Sequence, residues 1–307
     1  MKNINILIYK SHFKRQYIHL IDMLKNNNNW IAIDFHKYDY LIEIDKISKL
    51  FKINNLLFFP LQGINLNDFG YILKNQIDKY INGKKYIFVD DTHRNIKERI
   101  SVYNKFDFII GPTIHRVPYF LGGFDEKKLI FFPPFVLKED MIPPGSKKQK
   151  KLLVSGNLNK LVYPLRSKIS ELSKKYFRYR NKIKILEKNQ EIIGKKYYEY
   201  INKYAFAFTC SGSEHYQYLL YKYLEIPASS TILVCTNEHI KDIFKGMGFI
   251  EGEHYIAKNN IQDIRNFLDK MYKIKLNKEM IKNSYNLIKE KHTQYNRFQF
   301  LKELLSF

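Results

Sequence analysis

Short apolar runs alternate with longer stretches of helical spacing along almost the whole chain, and no other feature restricts the fold as much. In the first half the apolar runs are residues 4–9, 31–35, 56–59, 86–90, 106–110 and 129–132. They are rich in Ile, Phe and Val, and several are apolar on both faces, the pattern of parallel strands covered by helices on either side. Between them, residues 68–81 and 93–102 carry helical spacing. Strand, helix, strand in repetition predicts a doubly wound α/β sheet.

The alternation breaks at residues 132–151, which hold Pro133, Pro134, Pro143, Pro144 and Gly145 and then a basic run from Lys147 to Lys151. Proline fixes its own backbone and disfavours helix in the residue before it, so this segment reads as an interdomain linker. Beyond it the alternation restarts, with strand patterns at 151–155, 182–186, 205–210 and 231–236 and helical patterns at 164–176, 195–204 and 261–272. Residues 278–305 read as one long amphipathic helix that packs back. The expected organisation is a Rossmann-like domain over 1–135, a linker over 136–150, a second α/β domain over 151–285 and a C-terminal helix over 286–307. At about 150 residues per domain, 307 residues also predict two domains. The cleft expected between them is where ligands of such folds bind.

Composition narrows the function classes. Apolar residues make up 45% and charged residues 27%, and with 24 Tyr and 23 Phe the chain has ample material for globular cores. No apolar run approaches the roughly 18 residues of a membrane helix, and the start lacks the apolar block of a signal peptide. The expectation is a soluble cytoplasmic protein, with peripheral membrane contact through the Lys/Tyr/Phe-rich C-terminal helix left open. The net charge is +22, split as +9 over residues 1–150 (24 basic, 15 acidic) and +13 over the rest (28 basic, 15 acidic). A field spread so evenly attracts polyanions, anionic membrane surfaces and phosphorylated small molecules alike, although a Lys-, Asn- and Ile-rich composition is also what an AT-rich genome imposes. Cys210 and Cys235 lie in apolar strand patterns, as buried free thiols would, and no zinc or redox spacing exists.

There is no GxGxxG, Walker A, GxSxG or HExxH sequence. What remains are turns that follow strands. After Ser155 come Gly156, Asn157 and Lys160, then Tyr163-Pro164-Leu165-Arg166. A glycine loop opening a helix, with Lys160 and Arg166 nearby, suits a diphosphate; an ordinary strand-to-helix turn with solvated cations gives the same pattern. In the stretch from Phe208 to Thr236, Glu225 is the one acid of an apolar and aromatic helix. Its paired oxygens suit the two hydroxyls of a ribose, or a salt bridge to Lys222. In the first half a buried strand delivers Asp90, Asp91 and His93 to its C-terminal end. Asp91 suits a base or an orienting group for an acceptor hydroxyl, and His93 a sugar contact. Asp91 as a helix N-cap and His93 as a solvated first-turn residue are the structural alternatives. His115 and Arg116 form a weaker candidate after the next strand.

Residues 222–258, KYLEIPASSTILVCTNEHIKDIFKGMGFIEGEHYIAK, resemble the donor-binding half of GT-B glycosyltransferases of the "glycosyl transferases group 1" type, and SGNLNKLVYPLR is similar to the first loop of that half. The resemblance covers about residues 151–305. It implies an α/β GT-B fold of two Rossmann-like parallel-sheet domains facing across a cleft, with a C-terminal helix crossing back. It further implies that Glu225 binds the nucleotide ribose, that backbone at Tyr218 and Leu219 faces the diphosphate, and that Gly156, Asn157, Lys160 and Arg166 close on it. Eight positions before Glu225, where the family carries an acid, stands Gln217, which retains hydrogen-bonding capacity toward a sugar hydroxyl.

The expected activity is transfer of a sugar from a nucleoside-diphosphate sugar, UDP-sugar by preference, to a hydroxyl on a glycan, lipid or protein, with retention of configuration. Fixed cations and helix N-terminal amides would stabilise the departing diphosphate without metal or other cofactor. The alternative is a non-catalytic basic protein that binds polyanions such as nucleic acid, although no recognised nucleic-acid module is visible.

Overall fold

The computed structural model describes residues 2–9, 15–34, 40–59, 81–89, 103–114, 125–186, 192–213 and 218–306. The chain divides into a first unit, Met1–Pro133 with Arg297–Phe307, and a second, Pro134–Asn296.

In the first unit the strands are β1 (Asn3–Tyr9), β2 (Trp30–Asp34), β3 (Lys52–Phe59), β4 (Lys85–Phe88), β5 (Phe108–Gly111) and β6 (Leu129–Phe131), with helices α1 (Arg15–Lys25) and α2 (Tyr40–Ser48). They form one sheet in the order β2-β1-β3-β4-β5-β6, every pair parallel. β1, β3 and β4 are buried on both faces along their apolar runs, residues 6–8, 56–59 and 86–88. Aromatic rings tie one side together. Phe59 stacks on Phe88 at 4.7 Å, Tyr17 and Phe132 meet Phe88 edge-on at 5.0 and 5.3 Å, and Phe300 meets Phe132 at 5.7 Å. Phe300 brings the last helix into this core, where Leu301 and Leu305 are buried. Arg297 Nε donates to the Pro133 carbonyl at 2.7 Å, and Asn55 Nδ2 to the Leu305 carbonyl at 3.3 Å.

In the second unit the strands are β7 (Gln149–Ser155), β8 (Ile183–Leu186), β9 (Tyr204–Thr209), β10 (Ile232–Cys235) and β11 (Tyr255–Ala257). Their order is β11-β10-β9-β7-β8, again all parallel. The helices are α3 (Pro164–Lys175), α4 (Phe177–Arg180), α5 (Lys195–Asn202), α6 (Lys222–Ala228), α7 (Lys241–Gly246), α8 (Ile261–Lys270), α9 (Lys278–Lys291) and α10 (Gln294–Leu305), the last of which ends in the first unit. Every residue of β9 and β10 is buried, Cys210 and Cys235 are buried free thiols, and burial pushes both thiol pKa values up. The two sheets share one winding, with the second strand on one side of the first and all later strands on the other, so each has a switch point beside its first strand.

Three features differ from the sequence expectations. The three-residue edge strand β11 is not anticipated. The helix expected over 278–305 is two helices, because at His292 and Thr293 the chain leaves the helix to pair with Val136: Val136 N donates to the His292 carbonyl at 3.0 Å, and Gln294 N to the Val136 carbonyl at 3.1 Å. Asn296 Oδ1 then accepts from both the backbone N–H and the hydroxyl of Thr293, restarting the helix in the manner of a capping box. The proline-rich segment is packed on the second unit: Phe135, Val136 and Leu137 are buried, Ile142 N donates to the Ala228 carbonyl at 2.9 Å, and Ser230 Oγ to the Ile142 carbonyl at 2.5 Å. The expected helices at 68–81 and 93–102 lie outside the described residues.

Candidate functional site

The switch point of the second sheet lies between β7 and β9, where the loops leaving their C-terminal ends diverge. Ser213 N donates to the Val162 carbonyl at 2.6 Å and holds these loops together. The loop after β7 begins at Gly156, whose φ of +99° is a backbone state that a side chain would strain. Space there is also short. A Cβ at this position would stand 3.0 Å from Lys222 Cε and 3.2 Å from Arg166 Nη1. Two cations thus converge on one glycine.

The loop builds itself from its asparagines. Asn157 Oδ1 accepts from Asn159 N, and Asn159 Oδ1 from Leu161 N, each at 2.9 Å. Pro164 then opens α3 at a position where its missing N–H costs nothing. Two residues on, Arg166 is 2% exposed. Its Nη1 donates to the Asn157 carbonyl at 3.0 Å and its guanidinium lies 4.2 Å from the Tyr163 ring. Nε and Nη2 are buried without a hydrogen-bond partner among the described residues. Arg166 also draws the neighbouring Cys210 thiol partly back down against the larger upward push of burial. A guanidinium this dry, with two of three nitrogens unspent, is a strong local source of positive potential.

Lys222, at the start of α6, completes the group. Its Nζ donates to the Tyr197 hydroxyl at 2.5 Å and lies 4.6 Å from that ring's centroid. Tyr197 Oη in turn stands 2.9 Å from Ser155 Oγ. Ser155, Tyr197 and Lys222 therefore form one polar chain around Gly156.

Beside this group opens a cavity of about 480 Å³ at the C-terminal ends of β9 and β10. Its walls include Pro164 and Leu165 of α3, Ser211 and Ser213 after β9, and Thr236 and Glu238 after β10. Thr236 Oγ1 is buried and unpartnered among the described residues. The back wall is rigid: Tyr223 Oη donates to the Thr236 carbonyl at 3.1 Å, and Asn237 and Asn259 are doubly hydrogen-bonded to each other.

Of the sequence-predicted donor residues, Gly156, Asn157 (through its carbonyl) and Arg166 come together. Lys160 is exposed on the same loop. Leu219 is buried, Tyr218 partly so, and Glu225 is half-buried one turn after Lys222, its carbonyl accepting from Ser229 N and Oγ. Asp90, Asp91, His93, His115, Arg116, Glu214 and Gln217 lie outside the described residues. Sequence reasoning missed Tyr197 and the cation role of Lys222, because no spacing links α5 or α6 to Gly156. Among the described residues no group of three His, Cys, Asp or Glu side chains is placed to hold a metal ion.

No protein-family model matches the chain, and no curated protein matches it in sequence. Solved structures do match in three dimensions. HepE of Anabaena, determined in complex with UDP-glucose, superposes with a TM-score of 0.61 at 8% identity over 100% of both chains. The lipopolysaccharide outer core galactosyltransferase WaaB matches with a TM-score of 0.55 at 12% identity over 100% of this chain and 99% of its own. TarM matches with a TM-score of 0.55 at 13% identity over 86% of this chain, which spans only 57% of TarM's length. With a parallel Rossmann-like sheet in each unit and these neighbours, the chain has the GT-B fold.

Proposed function

We propose that the chain is a glycosyltransferase that takes a sugar from a nucleoside-diphosphate donor, UDP-sugar by preference, and passes it to a hydroxyl acceptor. One observation carries this reading: the buried Arg166, with two unsatisfied nitrogens, converging with Lys222 on a glycine at the switch point of the second parallel sheet. That is where a doubly wound sheet receives its ligand, and the arrangement offers fixed positive charge to an anion. HepE, of the same fold, was determined with UDP-glucose bound.

In this reading the diphosphate lies over Gly156, the one residue that lets it approach the backbone. As the sugar–phosphate bond breaks, negative charge grows on the leaving diphosphate, and Arg166 and Lys222 stabilise it from positions set before the reaction starts. Tyr197 orients the Lys222 ammonium. Glu225 receives the ribose hydroxyls, and Gln217 a sugar hydroxyl. Asp91 and His93 serve the acceptor side, as the sequence pattern expects. Retention of configuration, independence of metal and a cytoplasmic setting belong to the same proposal.

The test is thermal shift against UDP, GDP, dTDP and CDP, with Lys222→Ala and Gly156→Ala alongside wild type. A nucleotide at 100 times its dissociation constant adds about 2.7 kcal/mol of stability. Wild type is expected to respond to one nucleotide and both variants to lose that response. Stabilisation by RNA or DNA and by no nucleotide would replace the transferase reading with polyanion binding.

A further inference from the structure

At the end of the second sheet opposite the cavity, the chain leaves α3 through Lys174 and Lys175 into the short helix α4 and then enters β8. From Leu172 to Leu186 there are six basic residues (Lys174, Lys175, Arg178, Arg180, Lys182, Lys184) and no acid. In the midst of them Phe177 is 78% exposed, with Tyr176 at 40% and Tyr272 at 50%. These side chains stand on a firm base. Tyr179, fully buried, packs edge-on to Tyr176 at 6.2 Å and points its hydroxyl at Asp269 Oδ2, 3.3 Å away. Tyr272 Oη donates to the Asn181 carbonyl at 3.4 Å, and Lys150 Nζ to the Tyr272 carbonyl at 3.0 Å. In the single turn α4, Tyr179 is the buried anchor and Phe177 stands outward.

We propose that this face docks the protein on an anionic lipid bilayer, with Phe177 entering the headgroup layer and the surrounding Lys and Arg side chains on the lipid phosphates. Neither signal suffices alone. A lone exposed phenylalanine gives weak partitioning and a cationic patch gives a salt-sensitive encounter, whereas the two together hold a protein at a surface. Tyrosines that keep one end polar are suited to the same depth. Of the acids nearby, Asp269 is already engaged by Tyr179 and lies 3.7 Å from Lys182, and Glu171 stands one turn before Lys174 on α3. Cations already lie against these rings: Arg180 on Phe177 at 5.9 Å, Arg265 on Tyr176 at 6.0 Å, Lys182 on Tyr272 at 5.7 Å. Rings so occupied favour wedging into a headgroup layer over stacking with the bases of a nucleic acid. Docking here leaves the opposite end of the sheet, with Gly156 and the cavity, facing away from the lipid.

The experiment is co-sedimentation of the full chain with phosphatidylcholine vesicles, with and without phosphatidylglycerol. Wild type is expected to bind only the anionic vesicles and to be released by salt. Two cations lost at about fivefold each give roughly a 25-fold drop for Arg178→Glu/Arg180→Glu, before any added repulsion. Phe177→Ser is expected to lose about tenfold while keeping its salt dependence. Lys278→Glu/Lys282→Glu removes equal charge elsewhere on the same unit and is expected to change binding far less. All variants alter exposed side chains and are expected to keep the wild-type melting transition and nucleotide response, which separates this proposal from the donor-site reading. Failure of wild type to bind anionic vesicles overturns it, as does an equal loss in the control pair. So does a loss confined to single-stranded RNA binding in the patch variants.

Discussion

A lysine ammonium taken partly out of water carries a titration signature. Lys148 donates to the Asn202 carbonyl at 2.7 Å, and burial lowers its pKa to about 8. Its folded pKa lies below the unfolded value near 10.5. The cost of holding it charged is therefore fully present below about pH 8 and disappears as pH rises toward 10.5. Lys148→Met is expected to raise the melting temperature relative to wild type at neutral pH, with the gap narrowing through that window; a constant gap would mean the side chain is solvated. The same dependence on neighbours explains which site residues were legible in sequence. Gly156, Asn157 and Arg166 belong to one strand-to-helix turn, the last on the first turn of α3, and were readable from that stretch. Lys222 and Tyr197 come from helices 40 or more positions further on, and only the parallel topology brings them to Gly156.

Strands buried on both faces announce themselves by runs of consecutive apolar residues, and β1, β3, β9 and β10 were read from such runs, in β3 only its second half, residues 56–59. β11 did not, having three residues of which two are only partly buried. The helical pattern of 278–305 was correct in period and wrong in continuity, since a backbone bridge to Val136 leaves no mark on amphipathicity. What restarts the helix is the Asn296 side chain. Asn296→Ala is expected to cost about 1 kcal/mol, as the loss of a helix cap does, and to lower the melting temperature by a few degrees. An unchanged transition would show that the Val136 bridge alone fixes the junction.

At the scale of the whole molecule, the first unit is discontinuous, closed by Phe300, Leu301 and Leu305 from the far end of the chain. A chain stopped after Asn296 is expected to keep a folded second unit, whose site residues all lie within Pro134–Asn296, and to expose residues 1–133 to protease. Protection of both regions in limited proteolysis would show that the last helix is dispensable. Two domains were legible from length and from the proline-rich break, but the return of the last helix to the first core rests on apolar residues that any amphipathic helix would carry. That return sets an order of events during synthesis. Units usually mature in the sequence in which they leave the ribosome. Here the sheet translated first waits for residues 297–305 before its core can close, and the sheet translated second can be complete before it.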